Sequence, residues 1–309
     1  MSGAVYVPLG ACVLVAAVSR GASQRMWPRA AAWAVTTAGA AVALASVGAL
    51  VLLACPIPAR LPDIAAAGRW QPDAISTTSP VPTWVSALAI VVLAALAART
   101  VRELRAIWRE VCEARALQQS IASTGAGDLV VVQDPQPRAH AIAAPLGPSI
   151  VVVSSSMLAL LDDDERAAVI AHERAHLRHH HAWFQIAARL AAALSPFLGG
   201  LRDDVHFALE RWADEDAARV ASRPVAASAL ARTALAAVAS DSAGRPSFGL
   251  GLHPHGTVTR VAALLAPPHR RVRGAWLLVA VASAASIALA FAMKDMERFF
   301  EAARLWSRR

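Results

Sequence analysis

Residues 171–177 read AHERAHL. On a helix, side chains four apart lie on one face, so His172 and His176 can aim two imidazole nitrogens at a single metal ion. Glu173 follows the first histidine and is angled so that its carboxylate can reach a water at that ion. Two neutral nitrogen ligands beside a carboxylate base are the groups that metal-assisted hydrolysis uses. Such a centre also needs a third protein ligand and one open position. The run LERWADEDAARV at 209–220 supplies candidates, because Glu210 and Asp214 stand one helical turn apart and share a face. Glu210 is the expected third ligand, with Asp204, Glu215 and Asp216 as rivals. Asp214 is expected to accept the second ring N–H of a ligand histidine and so fix its orientation. Ligand type alone favours zinc, one ion per chain.

The elements that must hold these groups are legible around them. Asp162 with Glu165 three residues on forms a capping box, which predicts the start of the helix that carries the histidines. Three short β-type runs precede it, Leu129 to Val132, Ala139 to Ala143 and Ser149 to Val153, separated by turn residues such as Asp134-Pro135 and Gly147-Pro148. The apolar run Ala182 to Leu201 has the length of a membrane span. His176 and Glu210 must nevertheless meet on one side of a membrane, and Arg189 sits in mid-run. The run therefore reads as a buried or membrane-surface hairpin broken at Ser195-Pro196 and Gly199-Gly200. His179 to His181 point in three directions from a helix and read as a solvated helix end, not as a second chelating site.

The rest of the chain is apolar in blocks. Of 309 residues, 56% are hydrophobic and only 17% charged, and the mean hydropathy is +0.45, which is thin polar cover for a soluble domain. Four spans are expected: the N-terminus to Val18, Ala30 to Cys55, about Val81 to Ala98, and Gly274 to Met293. The first lacks a basic leader and reads as a retained helix. Arginines 20, 25 and 29, then 99, 102, 105 and 109, then 270, 271 and 273 flank these blocks. The positive-inside rule puts all three clusters, and the polar region between spans three and four, in the cytoplasm. The Pro-rich loop Pro56 to Pro82 then faces outward. The tail after Met293 holds five basic residues on what alternation makes the outer side, and it reads as an amphipathic helix able to lie on the membrane through Phe299, Phe300 and Trp306. The net charge of +8 is accounted for by these flanking arginines. No helix-turn-helix, zinc knuckle or aromatic-basic interleaving accompanies it, so direct nucleic-acid binding is not expected. Cys12, Cys55 and Cys112 form neither a disulfide framework nor a metal-ligand spacing.

The run from Ile150 to Leu177, followed by ERWAD, resembles the gluzincin membrane peptidases, which include the BlaR/MecR-type signal-transducer peptidases and the HtpX and CAAX-protease types. The likeness covers roughly Leu129 to Leu265. It implies His172, His176 and Glu210 as zinc ligands, Glu173 as general base and Asp214 as a supporting acid. It also implies that an edge strand before the active-site helix holds extended peptide, for which Ile150 to Ser154 is the matching run. An HP segment with a downstream arginine, here His253 and Arg260, is implied to stabilise the oxyanion. Three spans before the catalytic region favour the BlaR/MecR type. That type has a large sensing domain after the last span, whereas sixteen residues follow Met293 here. With Lys294 the only lysine, no penicillin-binding motif set exists and direct β-lactam sensing is not expected.

The sequence thus predicts a mainly α membrane protein with about four transmembrane helices and a cytoplasmic α+β zincin-like metallopeptidase domain holding a small β-sheet. The expected divisions are a membrane region at 1–98, the metallopeptidase domain at 99–273, a last span at 274–293 and a basic tail at 294–309. The expected activity is that of a multi-pass zinc endopeptidase acting on protein or peptide at the cytoplasmic face of the cell membrane. Regulated proteolysis, with a transcriptional repressor as one partner, is what the resemblance implies. Quality control of membrane proteins, or a non-catalytic zinc-stabilised signalling module, are the alternatives.

Overall fold

The computed structural model describes residues 3–122, 128–142, 149–242, 254–266 and 273–306. Helices α1 (Val7–Arg25) and α2 (Pro28–Ala54) open the chain as an antiparallel pair joined by two residues. Two short helices follow, α3 (Pro62–Gly68) and α4 (Pro72–Thr78), then α5 (Thr83–Ala122). Prolines that look like loop formers in the sequence therefore begin helices: Pro28, Pro62 and Pro72 each occupy the first turn, where a missing N–H costs nothing. The third span and the polar helical stretch after it are one helix of 40 residues. At 1.5 Å per residue it is about 60 Å long, twice a hydrocarbon core. Its first half is apolar, and its second half carries the arginines.

Strands β1 (Leu129–Val132), β2 (Ala139–Ile142) and β3 (Ile150–Ser154) form one sheet in the order β1-β3-β2. β1 runs parallel to β3 and β2 antiparallel to it, with Ala141 opposite Val151. β3 is therefore the central strand, and the expectation that Ile150 to Ser154 offers a free edge to peptide is corrected. Every residue of β3 is buried, as a strand paired on both edges requires. The edge strands are β1 and β2, and β2 is the one whose outer side lies beside Glu173.

The remaining helices are α6 (Ser155–Leu160), α7 (Asp163–Arg178), α8 (His181–Leu194), α9 (Leu201–Val220), α10 (Arg223–Ser242), α11 (Pro254–Leu265) and α12 (Arg273–Trp306). Stretches long and apolar enough to cross a membrane lie in α1, α2, α5 and α12, four among the described residues, and the chain is a membrane protein. The run 182–201 forms the expected hairpin. α8 ends before Ser195, a short turn at Pro196–Leu198 follows, and α9 starts at Leu201. Arg189 explains why α8 does not span: it ion-pairs with Glu103 and Glu110 on the polar half of α5, at 2.6 and 2.5 Å.

One apolar core joins the membrane helices to the hairpin. Val15, Val35, Val42, Phe184, Leu198, Leu201, Leu209 and Trp212, from α1, α2, α8 and α9 and the turn between the last two, share it with Leu278 of α12. Leu201 lies so close to α2 that a Cβ on Gly39 would overlap it. At the opposite end, α12 continues without a break through its basic tail. Phe299, Phe300 and Ala303 pack on Ala59, Trp70, Ala74 and Ile75, and Arg304 donates to the Gly68 carbonyl at 2.8 Å and covers the Trp70 ring. Phe299 and Phe300, expected to face a membrane surface, thus pack on the protein. The tail caps the 58–78 segment, whose apolar side holds both rings.

Candidate active site

Helix α7 starts where the sequence says it should. Asp162 accepts from the Glu165 N–H at 2.8 Å, and Glu165 accepts from the Asp162 N–H at 3.2 Å, satisfying two end donors reciprocally. Glu165 also receives Ser228 at 2.7 Å and Arg232 at 2.5 Å, which ties the start of α7 to α10. Ala168 of α7 packs with Ala217 of α9 and Ala226, Ala227 and Ala229 of α10. Small side chains let these helices approach closely, so polar groups on α7 and α9 can meet across the interface.

Three of them do. His172 Nε2 and His176 Nε2 are 3.2 Å apart. Glu210 places Oε2 3.5 Å from His172 Nε2 and Oε1 3.3 Å from His176 Nε2. A tetrahedral zinc with bonds near 2.0–2.1 Å separates its ligand atoms by roughly 3.3 Å, so the two imidazoles and the Glu210 carboxylate, whose two oxygens each face one ring, are spaced to hold one small ion. Among the described residues this is the one His/Cys/Asp/Glu group with the spacing of a metal site. Asp204 is turned away to Ser19 of α1, Glu215 pairs with Arg223 at 2.7 Å, and Asp216 holds His179 at 2.7 Å. The rivals for third ligand are thereby spent elsewhere. Asp214 takes its expected place, with Oδ1 3.1 Å from His172 Nδ1.

Arg260 joins the cluster from α11, some fifty residues along the chain from the acids it binds. It is 6% exposed and donates Nε and Nη2 to Asp214, at 2.8 and 2.7 Å, and sets Nη1 2.8 Å from Glu210 Oε2. With all three nitrogens engaged on carboxylates, this arginine neutralises and orients the acids and is not turned to an oxyanion. His253, the other half of that expectation, lies outside the described residues. His206 stands one turn before Glu210, with Nδ1 4.0 Å from Oε1 and its side chain one-third exposed; the sequence reading passed over it, although its spacing puts it on the Glu210 face.

The electrostatics follow from this packing. Burial alone would raise the Glu210 and Asp214 carboxyls, but the Arg260 guanidinium and the histidines hold both below the usual carboxylate range. Burial would lower His172, yet its hydrogen bonds to Asp214 and Glu210 push it up to about 10 when only protons compete for the site. His176 is pushed down to about 4 by burial, so its nitrogen is free to bind a metal at neutral pH. Burial raises the Glu173 carboxyl, against the pull of His172 and a hydrogen bond from the Ala141 backbone. A carboxylate so raised is a better proton acceptor than one in water.

His179 to His181 depart from the solvated helix end expected of them. His179 stacks on Trp212 with ring centroids 4.4 Å apart, and His181 is buried with Nδ1 2.8 Å from His176 Nδ1.

Comparison with known proteins agrees with this geometry. Residues 98–203 match Peptidase family M48, which is consistent with a membrane zinc metallopeptidase of the HtpX/BlaR type and supports a peptidase, a hydrolase, without reaching the BlaR/MecR subtype. The match takes in His172, Glu173 and His176 and ends short of Glu210, Asp214 and Arg260. No curated protein and no solved structure matches the chain.

Proposed function

We propose that the chain is a multi-pass zinc endopeptidase that cuts protein substrates at the cytoplasmic face of the membrane. The observation that carries this reading is the triangle of His172, His176 and Glu210 with Glu173 beside it. Bound there, zinc would supply Lewis acidity to a water and to the scissile carbonyl. Glu173 removes the proton of the attacking water and delivers it to the leaving amine. The Ala141 N–H aims the Glu173 carboxylate, while Asp214 holds the ring plane of His172.

The β2 edge gives the substrate a place. The Ser154 N–H donates to the Arg138 carbonyl at 2.8 Å, so His140 and Ile142 face β3 in the alternating antiparallel pattern. The backbone groups of Ala139 and Ala141 then point outward, beside Glu173. An extended peptide adding to this edge would bring its backbone to the general base, with little demand on sequence.

Position at the membrane face is supported by α9 itself. Arg211, next to Glu210, donates to the carbonyls of Ser23, Gln24 and Met26 at 2.7–3.2 Å where α1 turns into α2, and Arg29 covers Trp212. Arginines 20, 25, 29 and 99 to 109 lie at this end, which the positive-inside rule assigns to the cytoplasm. The test uses the purified full chain and unfolded casein. Cleavage should stop with a chelator, return with zinc, and be absent in Glu210→Gln together with the bound metal. Cleavage by Glu210→Gln at the wild-type rate would overturn the ligand assignment.

A further inference from the structure

Helix α7 ends at Arg178, and His180 turns the chain with φ of 53° in the left-handed region. That turn folds His181, the first residue of α8, back beneath the last turn of α7. Its side chain is 1% exposed. Its ring meets the His176 ring edge to face at 4.8 Å and 83°, with the two Nδ1 atoms 2.8 Å apart. Its Nε2 is buried and has no hydrogen-bond partner. The rings of Trp212 and Phe184 stand at 5.1 and 6.5 Å. A buried imidazole nitrogen without a partner is costly, so the reason for a histidine here must lie at its other nitrogen.

Only one proton fits between two Nδ1 atoms. His176 Nε2 faces His172 and Glu210, so its lone pair must stay free for a metal, and the one ring proton of His176 belongs on Nδ1. His181 Nδ1 is then the acceptor, and its own proton sits on the orphaned Nε2. We propose that His181 is a positioning residue, a neutral acceptor that fixes the tautomer and ring plane of His176 as Asp214 does for His172. This inference rests on the zinc reading above. The choice of acceptor has a physical reason: Glu173, Glu210 and Asp214 already face Arg260, and a neutral ring orients His176 without adding a fourth carboxylate.

Zinc affinity of the purified full chain, measured by competition with a chromophoric chelator, tests this. In His181→Asn the amide oxygen occupies the place of Nδ1 and can accept from His176. In His181→Gln the side chain reaches the Nε2 position instead, and His181→Leu accepts nothing but suits the apolar cage. Loss of an orienting partner weakens metal binding by roughly 10–100-fold. The Leu and Gln variants should show that loss, and Asn should stay within about threefold of wild type on the same scale. The metal-free thermal midpoint of the Leu variant should not fall, which separates positioning from a folding defect. Leu binding zinc as tightly as wild type, or Asn binding no better than Leu, would overturn the inference alone. Failure of the wild type to bind zinc would instead remove the metal reading and this inference with it.

Discussion

Replacing Arg260 with methionine should destabilise the metal-free protein far more than the zinc-loaded one. Methionine matches the aliphatic reach of arginine and adds no polar group, so the change isolates the guanidinium. Arg260 makes three charge-assisted contacts at 2.7–2.8 Å with Asp214 and Glu210 while 6% exposed. Removing one partner of a buried ion pair costs about 3–5 kcal/mol, because the other charge stays buried. With 2–4 °C per kcal/mol for a domain of this size, the metal-free midpoint should drop by about 6–20 °C. Zinc returns positive charge to the same carboxylates, so the loaded variant should lose at most half as much. Thermodynamic linkage then requires the variant to bind zinc more tightly, about tenfold for each 1.4 kcal/mol of difference between the two losses. Thermal unfolding in detergent, with and without saturating zinc, measures both. Equal losses in the two states would refute the compensation argument, and a metal-free midpoint within about 2 °C of wild type would refute the burial argument.

Three other outcomes are expected. Zinc binding should tighten about tenfold per pH unit between pH 6 and 9, since the ion displaces the one proton that Asp214 and Glu210 hold on His172 up to about pH 10, while His176, pushed down to about 4, has none to lose. The same raised pKa stabilises the zinc-free fold below the ordinary histidine range, and that contribution is lost as the pH climbs through 10. Isothermal titration in buffers of differing ionisation enthalpy counts the protons released, and a count of zero contradicts the His172 assignment. Gly39→Val should cost about 1–3 kcal/mol by overpacking against Leu201, read as a lower midpoint, whereas Gly10→Ala, inside α1 with open space around its Cβ, should not lower the midpoint. Ala141→Pro should cut casein hydrolysis at least tenfold with zinc content unchanged, because the N–H it removes faces Glu173 and the outer edge, not β3; wild-type turnover would show that the β2 edge does not serve the substrate.

The helix of His172 and His176 was readable because every rule it uses is local. The capping box of Asp162 and Glu165, the i,i+4 pair His172 and His176, and the i,i+4 pair Glu210 and Asp214 need only helix geometry. The four apolar spans and the hairpin at 182–201 followed from length and from where charge could sit. What local pattern missed were partners supplied from elsewhere in the chain. His181 looked like a solvated end because nothing in HHH announces the left-handed turn at His180 that folds it under α7. Phe299 and Phe300 looked like membrane anchors because their partner, Trp70, is far away in sequence. The role of β3 was visible in principle: IVVVS is apolar without alternation, the mark of a strand buried on both faces, whereas the edge role was only what the family resemblance implied. Arg260 was noticed as the companion of a histidine, yet its contacts with Glu210 and Asp214 could come only from the packing of α11.

The central claim is that Glu173 is the base of a metal-dependent hydrolase, and Glu173→Gln tests it most directly. Glutamine keeps the shape and leaves His172, His176 and Glu210 untouched but cannot accept the proton of a water. The account predicts one zinc per chain in both proteins and a fall in casein hydrolysis of at least about 10²-fold in the variant. Unchanged zinc with hydrolysis equal to wild type would contradict it.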